Sequence, residues 1–83
     1  MPDMRPVFSS HIDSVGYDAD LAELHVRFQP SRNHPNGRTA VYKDVPPHIG
    51  NGVLTAPSIG TALHFAIRGR FGFGYIPEPK HDQ

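Results

Sequence analysis

The fold is decided by residues 21–29, which read LAELHVRFQ. From position 22 onward, apolar side chains at even positions alternate with polar side chains at odd positions. The apolar set is Ala22, Leu24, Val26 and Phe28, and the polar set is Glu23, His25, Arg27 and Gln29. A period of two is typical of a β-strand with one buried face. We therefore expect the apolar set to face the core and the polar set to face solvent.

Candidate strands lie on both sides of this stretch. The first runs from Val7 to Tyr17 and is followed by the turn-forming residues 18–20, because short Asp side chains hydrogen-bond to nearby backbone amides. The third, residues 38–43, follows a loop that ends in Asn36-Gly37, a dipeptide that tolerates positive φ. Three consecutive strands joined by turns predict an antiparallel meander.

Helical patterns replace the strand pattern after residue 44. Pro46 and Pro47 are suited to a first helical turn, which has no partners for its N–H groups, so a short helix is expected there. Ser58 is a candidate N-cap for a second helix, and Gly69 is a suitable C-terminal stop. The apolar residues of this second helix recur at steps of three and four: Ile59, Ala62, Leu63, Ala66 and Ile67.

The C-terminal part of the chain is aromatic and rich in Gly and Pro. Phe71, Phe73 and Tyr75 would share one side of an extended segment, either to complete the core or to form a binding surface. Residues 1–6 are expected to be flexible, residues 7–71 to form the domain, and residues 72–83 to form a tail with room for one strand before a disordered end.

These elements predict one α+β domain, since 83 residues suit a single core. The expected architecture is an antiparallel three-stranded meander followed by two short helices packed on one face, with one optional extra C-terminal strand. The predicted core comprises Val15, Leu24, Val26, Phe28, Val53, Leu63, Ala66 and Ile67.

Composition excludes several classes of protein. The absence of Cys removes disulfides, thiolate zinc sites and a cysteine nucleophile. The six His show no recognised ligand spacing, so we expect no metal and no cofactor. No nucleophile has a positioned base, so we expect no enzyme activity. No apolar run is long enough for a signal or membrane segment, which favours a cytoplasmic protein without a membrane partner.

The formal net charge is zero, but its distribution is uneven. Residues 1–26 hold five acids and one base, whereas residues 27–70 hold six bases and one acid. Oppositely charged strands could simply pair across a sheet, or the middle of the chain could form a basic patch. The candidate nucleic-acid-binding residues are Arg27, Arg38, Tyr42, Lys43, Arg68 and Arg70.

Several segments together resemble the KTSC domain, a short module found alone in bacterial proteins and at the C-terminus of some lysyl-tRNA synthetases. The segments that carry the resemblance are Ser9-Ser10-x-Ile12, Gly16-Tyr17-Asp18, Leu24-x-Val26-x-Phe28, Tyr42-x-x-Val45-Pro46 and Ala56-Pro57-Ser58-x-Gly60. The family tends to carry Tyr-x-Tyr where this chain has Ala40-Val41-Tyr42, and an aromatic-asparagine pair where it has Leu63-His64. The resemblance implies strands first and helices after.

Two functional hypotheses follow. The first is a non-catalytic domain that binds structured RNA such as tRNA, which the synthetase linkage of the family suggests. The second is a protein-interaction module that docks a partner, or a second copy of itself, through a sheet face or edge. Salt separates the two, because phosphate contacts weaken steeply as salt rises and apolar docking need not.

Overall fold

The architecture is a five-stranded antiparallel sheet with helices on one face, as a computed structural model describing residues 2–76 shows. The strands are β1 (Arg5–Pro6), β2 (Ile12–Asp18), β3 (Glu23–Phe28), β4 (Arg38–Tyr42) and β5 (Phe73–Ile76). The helices are α1 (Pro47–Leu54) and α2 (Ile59–Ala62), and α2 continues into the π-helical turn Leu63–Ile67. Strand order in the sheet follows chain order, so the chain forms a meander. Its last strand, β5, comes after the helices and pairs with β4.

The α+β class is confirmed, but the predicted count of three strands is too low. The optional C-terminal strand exists as β5, which pairs with β4 at one edge of the sheet. At the other edge β1 pairs Arg5 with Val15 and Pro6 with Ser14, within the segment that was expected to be flexible. Two residues, one of them proline, are too few to show a period of two, so β1 has no signal in the local sequence. The predicted disordered end, residues 77–83, lies outside the described residues.

The alternation in residues 21–29 places one face of β3 in the core as predicted. Leu24 lies between Tyr17 on β2 and Tyr42 on β4, and Val26 lies between Val15 and Ala40. Leu24 and Val26 are both fully buried. Ala22 differs from the prediction, because it precedes β3 in a left-handed turn with φ 54° and is only partly buried.

The prediction that His25 faces solvent is wrong, because the second face of the sheet is covered near its centre. His25 is 5% exposed and pairs across the sheet with Gly16. A Cβ added to Gly16 would meet the Asp3 carbonyl oxygen at 2.6 Å, so the N-terminal segment crosses this face directly. The Nε2 atom of His25 lies 3.2 Å from a carboxylate oxygen of Glu23, which gives the ring a polar partner.

The helices pack on the face that carries Leu24 and Val26. The Tyr17 hydroxyl donates to the Val45 carbonyl oxygen, and the Tyr17 ring lies directly against Gly50 of α1. Of the predicted core, Phe28 and Ala66 are only partly buried. The core also contains residues that were not predicted, namely Ile12, Ala40, Tyr42 and Val45.

The second helix is capped as expected but changes its winding. The Ser58 hydroxyl accepts a hydrogen bond from the Thr61 amide at 3.3 Å. After Ala62 the helix widens, and the Arg68 amide donates to the Leu63 carbonyl oxygen at 2.9 Å, a bond across five residues. Gly69 then adopts φ 76°, the left-handed conformation expected of a C-terminal stop. Within residues 2–76, no helix has both the length and the apolar character that a membrane crossing requires.

The two glycines of α1 should respond oppositely to alanine. In Gly50→Ala the new methyl group meets the Tyr17 ring, so the free energy of unfolding should fall by about 1–3 kcal/mol. Gly52 has open space around its Cβ position, so Gly52→Ala should raise that free energy by about 0.5–1 kcal/mol through helix propensity. Urea unfolding of both variants measures the difference. Equal effects of the same sign would contradict this packing of α1 on β2.

The capping role of Ser58 predicts a selective loss of stability. Ser58→Ala should lower the free energy of unfolding by about 1 kcal/mol, because the Thr61 amide loses its acceptor. Ser58→Asp restores an acceptor and should unfold close to the wild type in the same urea titration. A Ser58→Asp variant as unstable as Ser58→Ala would show that the hydroxyl does not act as a cap.

Candidate nucleic-acid interface

A groove of about 700 Å³ opens on the helical side of the sheet, near the edge formed by β5. Its sheet side carries Arg38, Tyr42, Phe73 and Tyr75, and its helical side carries Leu63 and Arg68. The loops before β2 and after β3 complete the rim. Within the described part of the chain, no Asp or Glu side chain lines this groove.

Strand alternation explains why these side chains meet. Arg38, Ala40 and Tyr42 occupy every second position of β4 and therefore share one face. In the pairing of β4 with β5, Ala40 lies opposite Tyr75 and Tyr42 lies opposite Phe73. The sheet therefore brings a cation and three aromatic rings to the same face.

Three rings form an aromatic cluster, which consists of Tyr42, Phe73 and Tyr75. The ring centroids of Tyr42 and Phe73 are 5.0 Å apart with a tilt of 34°, and those of Phe73 and Tyr75 are 5.4 Å apart and nearly perpendicular. Tyr42 is 6% exposed, whereas Phe73 is 52% and Tyr75 43% exposed. The cluster therefore runs from a buried ring to two rings that reach solvent.

Two arginines accompany the aromatic cluster. The guanidinium carbon of Arg38 lies 3.5 Å from the centroid of the Tyr75 ring, within the range of a cation–π contact. Arg68 follows the π-helical turn with an extended backbone and lines the opposite wall of the groove. Positive charge is thus available on both sides of the exposed rings.

Burial raises the pKa of the Tyr42 phenol above its usual value of 10.0. The neighbouring Tyr75 phenol raises the same pKa further, and the positive charge of Arg68 partly opposes both. Tyr42 therefore stays neutral throughout the physiological range and can serve as a packing and hydrogen-bonding group beside the two arginines.

The structure brings together three of the six predicted binding residues: Arg38, Tyr42 and Arg68. Arg27 lies on the opposite face of the sheet, where its guanidinium donates to the Asn36 carbonyl oxygen and lies 3.9 Å from an Asp13 carboxylate oxygen. The exposed Lys43 does not line the groove, and neither does Arg70, whose Nε donates to the Phe65 carbonyl oxygen.

Of the three aromatic residues that the sequence left open between core and binding surface, Phe71 packs partly buried against the core, whereas Phe73 and Tyr75 are exposed. Their alternation was the available sequence signal, and their position beside Tyr42 depended on the register of β5. His11 and His34 also line the groove. Among residues 2–76, no three His, Asp or Glu side chains converge as a metal ion would require.

Comparison with known proteins identifies the family. The model of the KTSC domain matches residues 8–71. The chain belongs to the KTSC domain family. A curated protein of Tsukamurella paurometabola is 35% identical over 68 residues, which cover 82% of this chain and 92% of that protein. The crystal structure of a KTSC domain protein from Yersinia pestis superposes with a TM-score of 0.78 at 31% identity, covering 93% of this chain and all of that one.

The residues that match the family include only part of the candidate groove. Arg38, Tyr42 and Arg68 lie within the matched residues of this KTSC domain, whereas Phe73 and Tyr75 follow the matched segment. The Ala40 position, where the family tends to carry a tyrosine, is fully buried opposite Tyr75. The exposed part of the aromatic cluster thus comes from β5, after the matched region.

The pKa of Tyr42 predicts a loss of stability in alkali. Because its pKa is raised in the folded state, the unfolded chain ionises first, so stability is complete below about pH 10 and falls as pH rises through the folded pKa. Tyr42→Phe should weaken this fall, as urea unfolding at a series of alkaline pH values would show.

Arg68→Gln should raise the pKa of Tyr42 further, because it removes the charge that lowers it. The absorbance of tyrosinate, followed as pH increases, reports this change when the Tyr42→Phe curve is subtracted. Arg70→Gln is the matched control and should leave the curve in place. An unchanged titration in Arg68→Gln would show that the charge of Arg68 does not act on Tyr42.

Proposed function

We propose that this KTSC domain binds RNA without catalysis, through the groove between the β4–β5 edge and the π-helical turn. In this proposal bases stack on the exposed rings of the aromatic cluster, and phosphates contact Arg38 and Arg68. The observation that carries it is the joint placement of two exposed rings and two arginines in one concave surface.

The exposure of Phe73 and Tyr75 supports a binding role. A small domain has little apolar area with which to form a core. Leaving two large rings partly in water therefore loses part of the stabilisation that burying them would provide. Stacking on a base recovers about 1–3 kcal/mol per base and tolerates any base identity, because every base has a π-face. Exposed adjacent rings beside cations are therefore suited to nucleic acid.

The neutral net charge is compatible with this proposal. Binding of phosphates depends on the local potential, and acids remote from a groove cancel little of it at physiological salt. Arg38 and Arg68 line the groove, and the groove residues in the described part of the chain include no acid. Two phosphate contacts predict a modest affinity that depends on salt.

The alternative is protein docking on the edge strand β5. An edge strand offers unpaired backbone groups to another strand, and the exposed side of the aromatic cluster could pack against a partner. Arg38 favours RNA, because a guanidinium stacked over a ring suits a base and its phosphate together.

Charge reversal tests the proposed function. Arg38→Glu should reduce the affinity for fluorescently labelled RNA, measured by anisotropy, and should lower the salt slope by about one unit. Lys43→Glu is the matched control, since it makes the same charge change on an exposed residue outside the groove and should bind nearly as the wild type does.

For two phosphate contacts, the wild-type affinity should fall about 7- to 12-fold between about 50 mM and about 200 mM salt. Equal binding by Arg38→Glu and Lys43→Glu, or binding that does not respond to salt, would contradict RNA binding through this groove. Salt-independent association of the domain with itself or with a protein would favour docking on β5.

A further inference from the structure

We infer that the groove selects unpaired RNA and holds one or two nucleotides at a time. This inference rests on the RNA binding proposed above and specifies the form of the ligand. It follows from three features of the groove: the angle between its exposed rings, its volume, and the way in which Arg38 is held.

The angle between the exposed rings excludes a regular base stack. Phe73 and Tyr75 meet at 87°, with their centroids 5.4 Å apart. Consecutive bases in a duplex lie parallel, so they cannot lie flat on both rings. A base stacked on one ring instead meets the other ring edge-on, and the next base must turn away. Only an unpaired strand has the backbone freedom for this arrangement.

The size of the groove sets the length of RNA that it can hold. Its volume of about 700 Å³ lies within the range of about 300–1,000 Å³ typical of sites for one drug-sized molecule. One or two nucleotides have this size, whereas a duplex is too wide to enter. Duplex RNA is normally recognised from outside, by its shape and its 2′-hydroxyl groups.

Arg38 is positioned to contact a base and a phosphate together. Its guanidinium lies over the Tyr75 ring, and a guanidinium carries its N–H donors in its own plane, so stacking does not consume them. The second face of the guanidinium can stack on a base while the in-plane donors bind a phosphate. Lysine keeps the charge but offers neither the plane nor the paired donors.

The test compares one RNA sequence in two forms, a labelled unpaired octamer and the same octamer annealed to its complement. The unpaired form should bind at least about tenfold more tightly, because only it exposes base faces. In a series of unpaired oligomers, the affinity should rise with length up to about two nucleotides. Beyond that length it should rise only slowly, as the number of possible binding positions along the strand grows.

Two variants assign the effect to the aromatic cluster. Tyr75→Ala should weaken binding of the unpaired octamer by about fivefold or more, the loss of one stacking contact. Phe65→Ala is its matched control, because Phe65 is 68% exposed and lies outside the groove. Arg38→Lys provides a variant that leaves β5 unchanged, and it should also bind more weakly although its charge is preserved.

The outcomes separate this inference from the proposed function. Equal binding of the two forms, lost in Arg38→Glu, would overturn the selection of unpaired RNA and leave RNA binding intact. Affinity that grows by a constant factor with each nucleotide up to eight would overturn the limit of one or two. Failure of the wild type to bind either form would overturn the proposed function itself.

Discussion

The short helices cover β2, β3 and β4 but leave β5 largely uncovered. Both the core and the candidate site depend on how far across the sheet the helices reach. On the helical face, the side chains of β2, β3 and β4 between Val15 and Tyr42 are all at least partly buried. Phe73 and Tyr75 of β5, in contrast, reach solvent. The same strand pairing that completes the sheet therefore extends the core into an aromatic surface. Tyr42, buried and in ring contact with Phe73, joins the two regions.

Much of the fold follows from local sequence patterns. The alternation in residues 21–29 identifies β3 and its buried face, and the Ser58 and Gly69 signals identify the limits of the second helix. The patterns fail where a non-local contact decides the outcome. His25 is buried because the N-terminal segment crosses Gly16, and a single strand gives no information about what covers its second face.

The candidate site is less predictable because it depends on register. Arg27 and Arg38 are both basic residues on neighbouring strands, but Arg27 lies opposite Thr39 and so shares its face, whereas Arg38 lies on the other face. The predicted strand pattern already placed Arg27 away from the helices. The meeting of Arg38 with Tyr75 required the pairing of β4 with β5, which spans the whole helical segment and has no local signal.

The most direct test of the account is whether a base lies on the exposed rings. Nuclear magnetic resonance of the wild-type domain with an unpaired RNA octamer would reveal nuclear Overhauser effects between base protons and nearby side chains. The account predicts such effects to the ring protons of Phe73 and Tyr75, together with shifts of the Arg68 signals. Effects confined to His25, Thr39 and other residues on the opposite face would contradict it.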